Sequence, residues 1–234
     1  MRFYQRQHRF YCGIDLHAGT MHVCVVDAEG RTQEHENLPC DAGRFLKLIA
    51  PYRGEQLVVS CECLFAWYWL ADLCQSEGIA FVLGHTLSLK AIHGGKTKID
   101  KIDSEKIARL LRGGMLPQAY VYPKAMRATR DLLRRRMLLV RHRGQAIAHV
   151  TNTFTQYNVD APEKKLSYHK NRVGVAERFS DESVQRAVQS DVSLAEHLDE
   201  QLRGIELYLA QHAKIDDPQA FARLKTVPGI GLDA

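Results

Sequence analysis

Three strand-like segments open the chain, and helix-like and strand-like segments then alternate up to residue 112. Phe10 to Leu16 is a short apolar run, Met21 to Asp27 is rich in β-branched residues, and Arg31 to Leu38 follows the turn signal at Gly30. Consecutive strands favour antiparallel hairpins, whereas strands that alternate with helices favour parallel pairing. This order predicts a mixed sheet rather than a bundle or a sandwich.

The later segments complete the sheet and supply its helices. The patterns predict two more strands, at Gln56–Cys61 and Ile79–Leu83, and helices at Asp41–Tyr52, Leu64–Glu77, Thr86–His93 and Ser104–Leu111. A mixed five-stranded sheet with flanking helices in this order is the α/β architecture of RNase H-like folds. In that architecture the first and fourth strands are neighbours.

The pattern changes after Pro123. Apolar residues recur at helical spacing from Lys124 to Thr155 with few helix breakers, which predicts one long helix. After a polar loop, Asp181 and Ser193 are each expected to cap a further helix. We therefore expect three regions: an α/β domain at 1–122, a long-helix, coiled-coil-like arm at 123–215, and a short third region at 216–234. The arm's apolar stripes would be buried in an antiparallel pair or across two subunits.

Positive charge is concentrated at the start of this arm. Residues 121–180 contain 13 Lys and Arg against four Asp and Glu, a net charge of +9, whereas the whole chain has +5. A solvated helix face is one explanation, but so many cations on one helix favour a nucleic-acid partner, bound through phosphates. The candidate nucleic-acid-binding residues are Lys124, Arg127, Arg130, Arg134, Arg135, Arg136, Arg141 and Arg143.

Composition excludes several other classes of protein. With 45% hydrophobic and 25% charged residues, the chain is neither disordered nor fibrous. The N-terminus does not resemble a signal peptide, and Leu57 to Cys74 is too short and too charged for a membrane span. The six cysteines lack zinc-site spacing, so we expect reduced, mostly buried thiols in a cytoplasmic protein.

Four acidic residues are the best candidates for catalysis. Asp15 ends the first strand, Glu62 follows the fourth, and Asp100 and Asp103 share one face of a helix that begins near Ile99. Each acid alone also has a structural explanation, such as a turn or a helix start. Together they would bind Mg²⁺ or Mn²⁺, because clustered carboxylates without cations repel one another. Two such ions support phosphoryl transfer.

Other side chains are weaker candidates. The histidines His17, His22, His85 and His93 are scattered, and scattered histidines are more often structural than metal-ligating. An aromatic group beside Glu62 is interpreted first as core or interface and second as a platform for stacking bases. It comprises Phe65, Trp67, Tyr68 and Trp69.

Three short motifs resemble one known family. Tyr11-Cys12-Gly13-Ile14-Asp15, Ser60-Cys61-Glu62 and Lys98 to Asp103 are similar to the catalytic motifs of the insertion sequence 110 family of DEDD transposases, relatives of Piv-type invertases. The resemblance covers roughly residues 10–158. It resumes at Leu224 to Gly231, which is similar to the opening of the family's C-terminal transposase domain. The family usually has Thr and Ala where Ile99 and Ser104 stand here.

The resemblance implies a function and partners. Asp15, Glu62, Asp100 and Asp103 would be the metal-binding catalytic tetrad of a DNA recombinase that exchanges strands at element ends and target. A structured non-coding RNA would guide it, and the arm would assemble a homo-oligomer, a dimer or a tetramer. The family's catalytic serine has no counterpart before Ala234, so we expect a truncated transposase that does not complete recombination alone.

Two alternatives remain open at this point. A metal-dependent RuvC-like nuclease or resolvase needs no serine and would cut branched DNA by itself. A non-enzymatic nucleic-acid-binding remnant would still bind after loss of Asp15.

Overall fold

The computed structural model describes residues 2–54, 56–92, 100–216 and 218–227. The chain divides into two compact units, Met1–Lys124 and Ala125–Ala234. Lys98, Ile99 and His93 lie outside the described residues, as does the Pro-Gly-Ile-Gly segment at 228–231.

A five-stranded mixed sheet forms the centre of the first unit. Its strands are β1 Phe10–Leu16, β2 Thr20–Asp27, β3 Thr32–Pro39, β4 Leu57–Glu62 and β5 Ala80–Gly84, in the spatial order β3-β2-β1-β4-β5. The first three strands are antiparallel, and β4 pairs in parallel with both β1 and β5. The RNase H-like sheet predicted from the sequence is confirmed, including the neighbouring first and fourth strands.

Helices cover both faces of this sheet because its central strands are apolar on both sides. The helices of the unit are α1 Ala42–Ile49, α2 Trp67–Ser76, α3 Thr86–Ile92 and α4 Asp100–Arg112. One face, which includes Cys12, Ile14 and Val23, packs with residues of α1 and α2. The other face, which includes Tyr11 and Val58, packs with α4. The Asp41 side chain caps α1 by accepting a hydrogen bond from Arg44 N, as predicted.

Helix α4 lies directly on strand β1 at Gly13. A Cβ atom added to Gly13 would overlap the backbone N of Ala108 and the backbone O of Ser104. Glycine inside a strand often marks such a close backbone approach. Because no side chain separates them, helix and strand are held in one position.

The second unit is built on two long helices, α5 Lys124–Gln156 and α6 Glu182–Asp216. They run antiparallel, because Arg143 donates a hydrogen bond to Asp199 whereas the earlier Arg136 donates to the later Glu206. The segment between them packs in the shared core through Leu166, Val175 and Phe179, and it contains short 3-10 turns. A short helix, α7 Pro218–Lys225, follows α6.

The sequence prediction of two helices after residue 181 is wrong, because α6 is continuous. Asp181 does cap it, accepting hydrogen bonds from Ser183 N and Val184 N. Ser193, expected to cap a second helix, lies inside α6 and accepts a hydrogen bond from the Gln189 side chain. Buried Val192 and Ala195 continue the apolar stripe across this position, so packing outweighs the local capping preference.

A charged cluster joins the parts of this unit. The Arg172 side chain, only 1% exposed, donates to Asp199 Oδ2 at 2.6 Å, and Arg143 donates to Asp199 Oδ1 at 2.8 Å. Arg172 also donates to the carbonyl oxygens of Leu166 and Ser167. Burial alone would raise the pKa of Asp199, but the hydrogen bonds from the two arginines hold that pKa below its usual value. The carboxylate therefore stays charged and holds the interhelical segment against α6.

The close approach at Gly13 leads to a stability prediction. We expect Gly13→Ala to lower the free energy of unfolding by about 1–3 kcal/mol or more, because the methyl group must push α4 away from β1. Denaturant unfolding measures the effect. Gly54→Ala is the matched control, since its Cβ would meet nothing within 4 Å. Equal stability of the two variants would contradict the close packing of α4 on β1.

Candidate active site

Asp15 and Glu62 lie side by side at one edge of the sheet. The parallel register pairs Ile14 with Cys61, and Asp15 and Glu62 are the next residues along their strands. Neighbouring strands are about 4.8 Å apart, and side chains alternate between faces. Both acids fall on the face that carries Tyr11 and Val58, which is the face that α4 covers.

Helix α4 directs its first turn towards this edge. Its last turn lies at the opposite end of the sheet, where Arg109 and Arg112 donate to the carbonyl oxygens of Gly30 and Ala28. Helix α4 is therefore antiparallel to β1, and its N-terminal residues approach the end of β1 that carries Asp15. Asp100 is the first residue of α4, and its side chain lies outside the described part of the chain.

Asp103 is partly buried one turn into α4. Its carboxylate accepts a hydrogen bond from Lys106 Nζ at 3.0 Å, within the same helix. The next residue, Ser104, is fully buried and lies 3.3 Å from His35 Nε2 through its hydroxyl group. This contact connects α4 to the edge strand β3.

The immediate neighbour of Asp15 is a histidine. His17 Nε2 lies 3.3 Å from Asp15 Oδ2, and the Asp15 side chain is 13% exposed while that of His17 is 39% exposed. His22 pairs with Asp15 across the β1–β2 hairpin. The Asp15 carboxylate therefore has polar neighbours, and little of its side chain is exposed to bulk water.

The carboxylates at this site are of the kind that binds a hard divalent cation, but the described side chains do not form one cluster. Among residues whose side chains are described, no group of three or more His, Cys, Asp or Glu is close enough to share a metal ion. Asp15, Glu62 and Asp103 nevertheless supply only carboxylate oxygens, the ligands that Mg²⁺ and Mn²⁺ prefer. At this edge Asp15 and Glu62 would hold such an ion, whereas the Asp103 carboxylate is paired with Lys106.

The basic residues of α5 are not all available to a partner. Arg136 and Arg143 pair with Glu206 and Asp199 of α6, and Arg127 is buried. Arg130 is partly buried and contacts Asp131, and Lys124 lies 4.0 Å from Asp72. The exposed arginines of the predicted set are Arg134, Arg135 and Arg141, and Lys124 at the start of α5 is exposed as well.

The aromatic group beside Glu62 has two environments. Trp67 is 2% exposed in the core, and Tyr68 packs edge-on against it with 4.5 Å between ring centroids. Phe65 is 78% exposed. The sequence pattern placed these aromatic residues in one group at helical spacing. In the structure α2 begins only at Trp67, so Phe65 lies in the loop before the helix.

The six cysteines are all free, and four of them are buried. Burial raises the pKa of Cys12 and Cys61 well above the usual thiol value, and raises that of Cys74 to about 12. A thiol with a raised pKa is not a nucleophile near neutral pH. The expectation of inert thiols agrees with this.

Comparison with known protein families decides the class of the protein. The family model of the IS110-type DEDD transposases, described as a transposase, matches residues 12–159. The chain belongs to this family. The matched residues include most of β1 and all of β4 and α4, and therefore all four predicted acids. A comparison with curated proteins found no match.

Family membership establishes the general role. The chain has a DNA transposase or recombinase role, DNA is its partner, and the family points to divalent metal use in general. Among the helices that the structure describes, none is both long enough and apolar enough to cross a membrane.

Sequence reasoning missed two features of the site. The first is the seat of α4 on Gly13, for which glycine inside an apolar strand was an available signal. The second is the contact between His35 and Ser104, which joins residues far apart in the chain and left no local signal.

Proposed function

We propose that this chain uses Asp15, Glu62, Asp100 and Asp103 to bind Mg²⁺ or Mn²⁺ and to cleave and exchange DNA strands. The observation that carries the proposal is the register of β1 and β4, which brings Asp15 and Glu62 together on the face covered by α4. Family membership supplies the DNA substrate. Residues 1–122 form the catalytic domain in this proposal, residues 123–215 its arm, and residues 216–234 the start of a further domain.

The carboxylates have a defined task in this chemistry. Bound divalent ions supply activation of the attacking oxygen and stabilisation of the leaving oxygen in phosphoryl transfer. Asp15 and Glu62 hold their oxygens at a rigid sheet edge, and α4 brings Asp103 to the same end of the sheet. His17 lies beside Asp15, with 3.3 Å between Nε2 and Oδ2. Ligands placed on packed elements rather than loops keep their geometry, which phosphoryl transfer requires.

A metal-dependent thermal shift tests the metal site. We expect Mn²⁺ to raise the melting temperature, because an ion at 100 times its dissociation constant adds about 2.7 kcal/mol to the free energy of unfolding. Asp15→Asn removes one ligand charge and should abolish the shift. Glu105→Gln is the matched control, since Glu105 lies on α4 but pairs with Arg109.

The outcomes of this experiment are separable. A shift in the wild type and in Glu105→Gln but not in Asp15→Asn supports the tetrad. An equal shift in all three proteins, or in none, contradicts it.

We also propose that the exposed basic face of α5, defined by Arg134, Arg135 and Arg141, binds nucleic acid, including a structured guide RNA. These arginines are exposed, in contrast to Arg136 and Arg143, whose charges acids of α6 already compensate. Exposed cations of one sign repel one another and favour a polyanion. The guide RNA comes from the family resemblance, and the exposed face supports a phosphate partner of either kind.

A homo-oligomer, either a dimer or a tetramer, and a coiled-coil-like arm belong to the same proposal. Exposed Met126, Leu133 and Met137 recur on α5 at spacings of seven and four residues, which is the pattern of a helix–helix seam.

Salt dependence tests the basic face. Replacing Arg134, Arg135 and Arg141 together by Gln should reduce the slope of log affinity against log salt by about 3, since each lost phosphate contact removes about one unit. Filter binding with duplex DNA and with structured RNA measures the slope. The matched control replaces the exposed Lys164, Lys165 and Lys170 by Gln, which removes the same charge elsewhere in the unit.

The lysine variant distinguishes contacts on α5 from an effect of net charge. An unchanged slope in the lysine variant locates the contacts on α5. An equal reduction in both variants would mean that net charge, and not this face, controls binding.

A further inference from the structure

An exposed apolar rim lies beside the candidate catalytic acids. It consists of Leu64 and Phe65, which follow β4, and Leu87, which lies in the first turn of α3 after β5. Their exposed fractions are 42%, 78% and 74%. Adjacent parallel strands place these residues at the same edge of the sheet as Glu62. Large apolar side chains left exposed beside a candidate site favour a binding surface there.

The backbone around Phe65 is fixed by its neighbours. Cys63 N donates to Gly84 O at 2.8 Å, and Leu64 N donates to Glu62 O at 2.9 Å. On the other side, buried Trp67 anchors the start of α2 in the core. Phe65 is held between these two anchors, so its exposure is a property of the folded loop.

The position of Phe65 relative to the acids determines what can contact its ring. It lies three residues after Glu62, at the edge where the proposed function requires a DNA phosphate. A protein segment on this rim would cover the edge and block that phosphate. A nucleobase on the same strand as the phosphate would contact the ring without blocking the acids.

We propose that Phe65 stacks on an unpaired base of the substrate DNA, next to the phosphate that a divalent ion at Asp15 and Glu62 would bind. The inference rests on the proposed function and names a positioning residue for it. Every base has an apolar face, so such a contact selects an unpaired base rather than a sequence. The contact should raise affinity most for DNA whose base is already extruded or unpaired, because no further free energy is needed to unstack that base.

A double-mutant cycle between protein and DNA tests the stack. The probe is a DNA duplex with a one-nucleotide gap opposite a single unpaired base, compared with the same DNA carrying an abasic site there. Binding is measured by fluorescence anisotropy both in EDTA and in Ca²⁺, a hard cation that takes oxygen ligands, so that the stack is read without and with a cation between the acids and the phosphate. Phe65→Ala should weaken binding to the unpaired-base DNA about tenfold, within the range for loss of one base–aromatic stack.

In this cycle the effects of Phe65→Ala and of removing the base should be non-additive. On abasic DNA, wild type and Phe65→Ala should bind equally, because the partner of the ring is absent. Phe65→Trp should restore affinity for the unpaired base. Tyr120→Ala is the matched control, since Tyr120 is 65% exposed in the same unit but belongs to a segment that leads away from the carboxyl end of β5.

Several results would overturn the proposal. Phe65→Ala could lower the affinity for both DNAs equally, or leave the affinity for the unpaired-base DNA unchanged. It could also change the oligomeric state of the protein, which would show that the ring contacts another protein chain. A failed cycle with a normal Mn²⁺ thermal shift removes only the stacking role. A positive cycle without a thermal shift removes only the metal site.

Discussion

The contact between α4 and β1 at Gly13 determines the geometry of the candidate site. Any side chain larger than hydrogen there would collide with the backbone at Ser104 and Ala108. Because the helix rests on the strand without a spacer, its first turn is directed to the edge that carries Asp15. The buried Ser104 and its contact with His35 hold the same helix across β2 and β3. Glycine at this position thus lets α4 lie against the strand whose end carries Asp15, which is the geometry that the proposed site requires.

Charge is distributed by a different principle in the second unit. The basic segment that dominates the composition is partly neutralised within the fold, since α6 supplies Glu206 and Asp199 to Arg136 and Arg143. Asp199 also satisfies Arg172, which would otherwise be a buried cation without compensation. Arg136 and Arg143, which are paired with acids, therefore share α5 with the exposed arginines. The proposed nucleic-acid contacts are assigned to the exposed arginines alone.

The sheet could be predicted from the sequence because strand and helix patterns follow one another in an order with few solutions. β1 begins and ends where its apolar run does, and the parallel pairing with β4 follows from the topology. Two results depended on tertiary packing instead. The buried stripe through Val192 and Ala195 outweighed a capping serine, and the start of α2 at Trp67 separated Phe65 from the buried aromatics. Local sequence patterns do not reveal which side chains tertiary packing will bury, and burial decided both cases.

The most direct test of the account is the position of a metal ion in crystals of the protein grown with gapped DNA and Mn²⁺. Anomalous scattering locates manganese independently of the protein density. The account predicts an anomalous peak coordinated by carboxylate oxygens of both Asp15 and Glu62, beneath the first turn of α4. A peak bound elsewhere, or bound DNA whose phosphates approach neither acid, would contradict it.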